Sequence, residues 1–132
     1  MADLAGLLKS QITKLNATFE AADAVLHQEV QKLQRAIEAV APGIEVRLDT
    51  HTNDASGISY VLIVQGGGQS SNVLFFRIPS TGYPIEAGDS VPHLQKIADH
   101  AEGLPAFVER LVGDSSSALV TKVAFLARKK LS

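Results

Sequence analysis

The sequence predicts an α+β fold: one long N-terminal helix, an antiparallel meander of three to four strands, then two to three C-terminal helices. Three observations carry this expectation. Apolar residues recur at helical spacing from Leu4 to Val40. The period then drops to two, in segments rich in β-branched residues between 44 and 87. Helical spacing returns in the last third, over 90–131, broken by Gly, Asp and Ser. A chain of 132 residues is close to the commonest domain size, so a single domain over 1–132 is expected.

The first element rests on Leu4, Leu8, Ile12, Leu15, Phe19, Ala22, Leu26, Val30, Leu33, Ile37 and Val40, which fall on one stripe of a helix. Lys9, Lys14, Glu20, Asp23, Gln28, Gln31, Gln34, Arg35 and Glu38 supply a wetted opposite face. Asp3 suits the N-cap, and Ala41-Pro42-Gly43 forms a stop. Asn16 to Thr18, weak helix formers, mark the one place where the helix could break.

Ile44 to Asp49 alternates as a strand with one buried face, and the polar stretch from Thr50 to Gly57 reads as a loop. Ile58 to Val64 is apolar on both faces, as a central strand covered on two sides would be. Gly66 to Asn72 is the next connection, and Val73 to Ile78 a third strand. Tyr83 to Ala87 suits a short edge strand, where Pro84 is tolerated. A helix is then expected from Asp89 or Ser90, with Pro92 in its first turn and Leu94, Ile97, Ala98 and Ala101 on its apolar face. Phe107, Val108, Leu111 and Val112 continue with helical spacing, and Leu119, Val120, Val123, Leu126 and Ala127 form the last helix. Two-sided apolar strands call for cover on both faces, with the N-terminal helix on one and the C-terminal helices on the other. The order helix, meander, helices is similar to that of bacterial secretion chaperones and of small immunity or antitoxin proteins, a likeness of architecture without a shared motif.

Charge and composition narrow the function classes. The net charge is −2, which argues against general affinity for nucleic acid. Residues 42–114 carry nine acids and four bases, whereas Lys122 and Arg128 to Lys130 leave the last segment basic without interleaved aromatics for base stacking. Cysteine is absent, which excludes disulfides, thiolate metal sites and a Cys nucleophile. The start, Met1 to Lys9, lacks the pattern of a signal peptide, and no apolar run approaches the roughly 18 residues of a membrane span. A cytoplasmic protein is the expectation.

No motif points to chemistry. Gly66-Gly67-Gly68 lies between two strands with neither a Lys nor a helix after it, so it reads as a hairpin loop and not a phosphate cradle. His93 and His100 are seven residues apart, about 10 Å along a helix, which is wide for one metal ion. His51 and Asp54 could form an imidazole–carboxylate pair, but in a polar loop turn chemistry by Asn and Asp is the usual explanation. Ser80 lacks the glycines of a nucleophile elbow. No catalytic residue, cofactor or metal is therefore expected.

Length supplies the remaining argument. A helix over 4–40 is about 55 Å long, whereas a seven-residue strand spans about 23 Å. Its apolar stripe should outrun its own sheet and meet a protein partner or a second copy in a homo-oligomer. Leu8, Ile12, Leu15, Phe19, Leu26, Val30 and Leu33 are the expected contact residues, joined by Tyr83, Pro84 and Ile85 from the loop before the edge strand. A non-enzymatic assembly or interaction module is the leading expectation. The alternative is a small-ligand-binding protein or an enzyme of unfamiliar type, with a site near loops 51–54, 66–72 and 79–88.

Overall fold

The computed structural model describes residues 3–90 and 93–131. The first helix, α1 (Leu4–Val40), runs unbroken for 37 residues. Asp3 caps it, its carboxylate accepting from the Gly6 N–H at 3.2 Å. Thr18 is accommodated because its hydroxyl donates back to the Lys14 carbonyl at 3.1 Å, so 16–18 does not interrupt the helix. At the other end Ala41 closes the last turn and Gly43, at φ 91°, leads into the sheet.

Five strands follow: β1 (Glu45–Asp54), β2 (Gly57–Gly66), β3 (Gln69–Pro79), β4 (Ile85–Gly88) and β5 (Gln95–Ala98). They lie in sequence order and pair antiparallel throughout. Gly67 and Gly68 both have positive φ and form a two-residue turn between β2 and β3, which is why glycine occupies both places. β1 continues to Asp54 through residues expected to form a loop. Its polar end needs no apolar face, because backbone pairing from Thr52 to Asp54 with β2 holds it, and a bulge at His51 absorbs the register shift.

The segment after residue 90 corrects the expected helix. Ile97 and Ala98 belong to β5, which pairs with β4 through Ile85↔Ala98 and Glu86↔Lys96. Four residues bonded to a waiting edge outweigh a short run of helical spacing. The expected turn around Pro92 falls outside the described residues. The sheet therefore has five strands, and two C-terminal helices remain, α2 (Gly103–Gly113) and α3 (Ala118–Leu131). Pro105 sits in the first turn of α2, where its missing N–H costs nothing. Ser117 accepts from the Val120 N–H at 3.2 Å and starts α3.

All three helices cover one face of the sheet, which overturns the expectation of cover on both. Tyr60 and Phe76 are cross-strand partners. Tyr60 meets Asp23 and His27 of α1, and Phe76 meets Phe107 of α2 edge to face, 6.2 Å between centroids. Gly66 lies under Leu126 of α3 on the same side. One apolar cluster joins these elements, with Leu26, Ile44, Leu62, Val64, Phe76, Ile78, Ile85 and Leu104 among its most buried members. Val61 and Ile63 point to the other face and lie outside that cluster, yet are buried. Their cross-strand neighbours Asp49, Arg47 and Phe75 shield them, with His51 against the Phe75 ring. Two-sided apolarity in β2 is thus met by side chains of the sheet itself.

Candidate interaction surface

The course of α1 across the sheet is set at three places. Near its C-terminal end the Gln34 side chain accepts from the Val46 N–H at 2.5 Å, which occupies an outward donor of the edge strand β1. In the middle, the Tyr60 hydroxyl donates to Asp23 Oδ1 at 2.5 Å, and His27 Nε2 lies 3.2 Å from the same hydroxyl. Burial, followed by the hydrogen bond to Asp23 and its charge, pushes the Tyr60 hydroxyl far above its ordinary pKa. A phenol held so firmly protonated is suited to anchoring a helix and not to acid–base exchange near neutral pH. Third, α1 crosses the β3–β4 turn at Gly82, whose φ is 91°; a Cβ there would lie 2.8 Å from the Thr18 carbonyl oxygen.

Beyond Thr18, toward its N-terminus, α1 leaves the sheet. Every residue from Asp3 to Thr18 is exposed. Leu4 is 77 % exposed, Leu7 57 %, Leu8 62 %, Ile12 49 % and Leu15 43 %. Leu4, Leu8, Ile12 and Leu15 fall on the stripe that, further along, carries the buried Ala22, Leu26, Leu33 and Ile37, and Leu7 flanks it. The exposed tip is about 20 Å long.

A second apolar surface lies at the opposite end of the same helix. Ile37 and Val40 of α1, Val112 of α2 and Leu119, Val120 and Val123 of α3 line a groove of about 360 Å³ with scarcely any polar wall. Val40 and Val112 are exposed at this site. Two further surface grooves have more polar walls. One lies between α1 and β1, beside Gln31, Gln34 and Arg35; the other lies between α3 and the start of β3, beside Lys122, Arg128 and Asp89.

The residues expected to make contacts divide by burial. Leu8, Ile12 and Leu15 are on the exposed tip, whereas Phe19 and Val30 are half-buried against the core. Leu26 is buried under its own sheet and is structural, which corrects its place among the contact residues, whereas Leu33, though buried, forms part of the floor of the apolar groove. Pro84 is exposed and Tyr83 half-buried, but Ile85 is wholly buried and belongs to the core, a second correction. Leu7, one turn from Leu4, widens the tip beyond the 4–8–12–15 spacing. The groove combines three helices, and sequence spacing carries no signal for it.

The polar residues examined for chemistry are spread apart. Asp54 accepts from the N–H and the hydroxyl of Ser56, at 2.9 and 2.5 Å, and these bonds lower its carboxyl pKa. His51 meets Phe75 edge to face instead, with 5.3 Å between ring centroids. The glycine turn at 67–68 lies at the far end of β2 from both. His100 Nδ1 contacts Glu102 at 3.0 Å, and Asp99 contacts Lys96 at 3.4 Å. Among the described residues no three His, Asp or Glu side chains gather as a metal site, and no helix is long and apolar enough to cross a membrane. No family model, curated protein or solved structure matches the chain.

Proposed function

We propose that this protein is a non-enzymatic assembly module that associates with a protein partner through the N-terminal tip of α1. The observation behind this reading is the tip itself, five large apolar side chains on one face of a helix that has left its own core. Full burial of one such side chain is worth about 1.5–3 kcal/mol, so the stripe holds a large unspent driving force. A helix of about 15 residues is also marginal in water without packing, and Gly6, Thr13, Asn16 and Thr18 weaken this one further. A partner that covers the stripe supplies both needs.

Light scattering over a range of concentrations tests the reading for self-association, with the double variant Leu8→Asp/Ile12→Asp as the control. The expected result is a wild-type mass above that of one chain and a monomeric variant that still unfolds cooperatively in urea. An association that persists unchanged in the variant overturns the role of the tip.

A further inference from the structure

We propose that the partner is a second copy of this chain and that the tip of one copy, residues 4–15, seats in the apolar groove at the far end of α1 in the other. The inference rests on the reading of α1 as the association element and names what the tip binds. Seven of the eight large apolar side chains that are exposed among the described residues belong to these two surfaces. Five are on the tip, and Val40 and Val112 are at the groove. The eighth, Phe125, lies beneath the cationic groups of Lys122 and Arg128. The described residues therefore carry an apolar ridge and an apolar hollow.

The tip does not reach the groove of its own chain. Leu8 and Val40 lie on one unbroken helix, about 48 Å apart along its axis. Were the helix to hinge at 16–18, the segment 4–15, about 18 Å long, would fold back only to about residue 30, short of the groove.

Area separates the groove from the simpler pairing of two tips. Five side chains burying about 80 Å² each give about 800 Å² for two tips laid together, less than a specific interface needs. Docking of tip into groove uses a different surface on each chain. Every copy then takes part in two contacts, and because the groove wall is smaller than the tip, a reciprocal pair covers about 1,000 Å² of apolar area, the size at which a specific interface begins. A ridge-to-hollow contact closes as such a pair or a ring, or continues head to tail.

The absence of cysteine gives the test, because every engineered thiol is unique. Leu8→Cys carrying an affinity tag and untagged Val40→Cys are mixed and oxidised, and the products are separated without reductant. The mixed disulfide is the expected dominant product, with little from either variant alone. In parallel, Ala124→Glu places a charge at an exposed position in the groove wall, where the fold is not at stake. At least a tenfold weaker association by light scattering is expected from it. A Leu8→Cys homodimer, or undiminished association of Ala124→Glu, overturns the groove and leaves association through the tip standing. A wild-type protein that stays monomeric at every concentration overturns both.

Discussion

The two parts of α1 share one apolar spacing and one unbroken backbone, yet they live in different surroundings. From Phe19 to Ile37 the stripe meets the sheet, and Ala22, Leu26, Leu33 and Ile37 are buried there. Even Glu29 is buried on this part, its carboxylate 3.0 Å from Lys32. From Leu4 to Leu15 the same stripe is exposed. The periodicity of a sequence therefore states which side of a helix seeks cover, while the reach of the strands decides how much of that side is covered from within. Substitutions in the two parts should differ in kind: in the first they act on folding, in the second on association.

The largest effect is expected at Leu26. Leu26→Ala opens a cavity beneath the helix and should cost about 3–4 kcal/mol in urea unfolding. A cost below about 1 kcal/mol would mean that the buried part of α1 is not integral to the fold, and the contrast between the two parts would fail.

Gly82 stands where the two parts meet. Gly82→Ala places a methyl group against the Thr18 carbonyl in a backbone conformation that alanine resists, for an expected loss of about 2–3 kcal/mol. Relief of the clash by a shift of α1 would show as changed amide chemical shifts from Thr18 toward the tip, with the centre of the sheet undisturbed.

Tyr60 tests the anchor of the packed part. Tyr60→Phe removes the hydrogen bond to Asp23 and should cost about 1–2 kcal/mol at neutral pH. The wild type adds a pH signature. Its hydroxyl pKa is raised by folding above the ordinary value of 10.0, so the folded state holds this proton more tightly than the unfolded state does. The resulting stability is fully present below about pH 10 and is lost as pH rises further. The Phe variant should lack this component of the alkaline decline; equal slopes for the two proteins above pH 10 would refute the anchor.

How much was legible beforehand follows from the same contrast. The bounds of α1 and the presence of the three long strands could be read from their apolar runs and punctuation, Asp3 and Pro42-Gly43 for the helix and Gly66 to Gly68 between strands, but β1 runs on to Asp54 and β3 begins at Gln69, where polar residues are held by backbone pairing. β5 could not, because Leu94, Ile97, Ala98 and Ala101 satisfy helical spacing over a run too short to decide, and the deciding contact is a backbone pairing with β4. The arrangement of all helices on one face was likewise hidden, since Val61 and Ile63 are covered by sheet side chains and not by a second helical layer. Of the candidate surface, the stripe was visible, but the point at which it leaves the sheet was not. That point is fixed by Gly82 beneath Thr18, a contact across more than 60 residues of chain.

The smallest expected effect on folding is the most informative about the tip. Leu8→Ser removes an exposed apolar side chain and leaves no cavity, so unfolding of the dilute monomer should change by no more than about 0.5 kcal/mol. Any stability that assembly adds by mass action must instead grow with protein concentration. Melting curves at low and high concentration should therefore diverge for the wild type and nearly coincide for Leu8→Ser. If Leu8→Ser lowers stability equally at every concentration, Leu8 is part of the fold, and the division of α1 into a packed part and an associating tip does not hold.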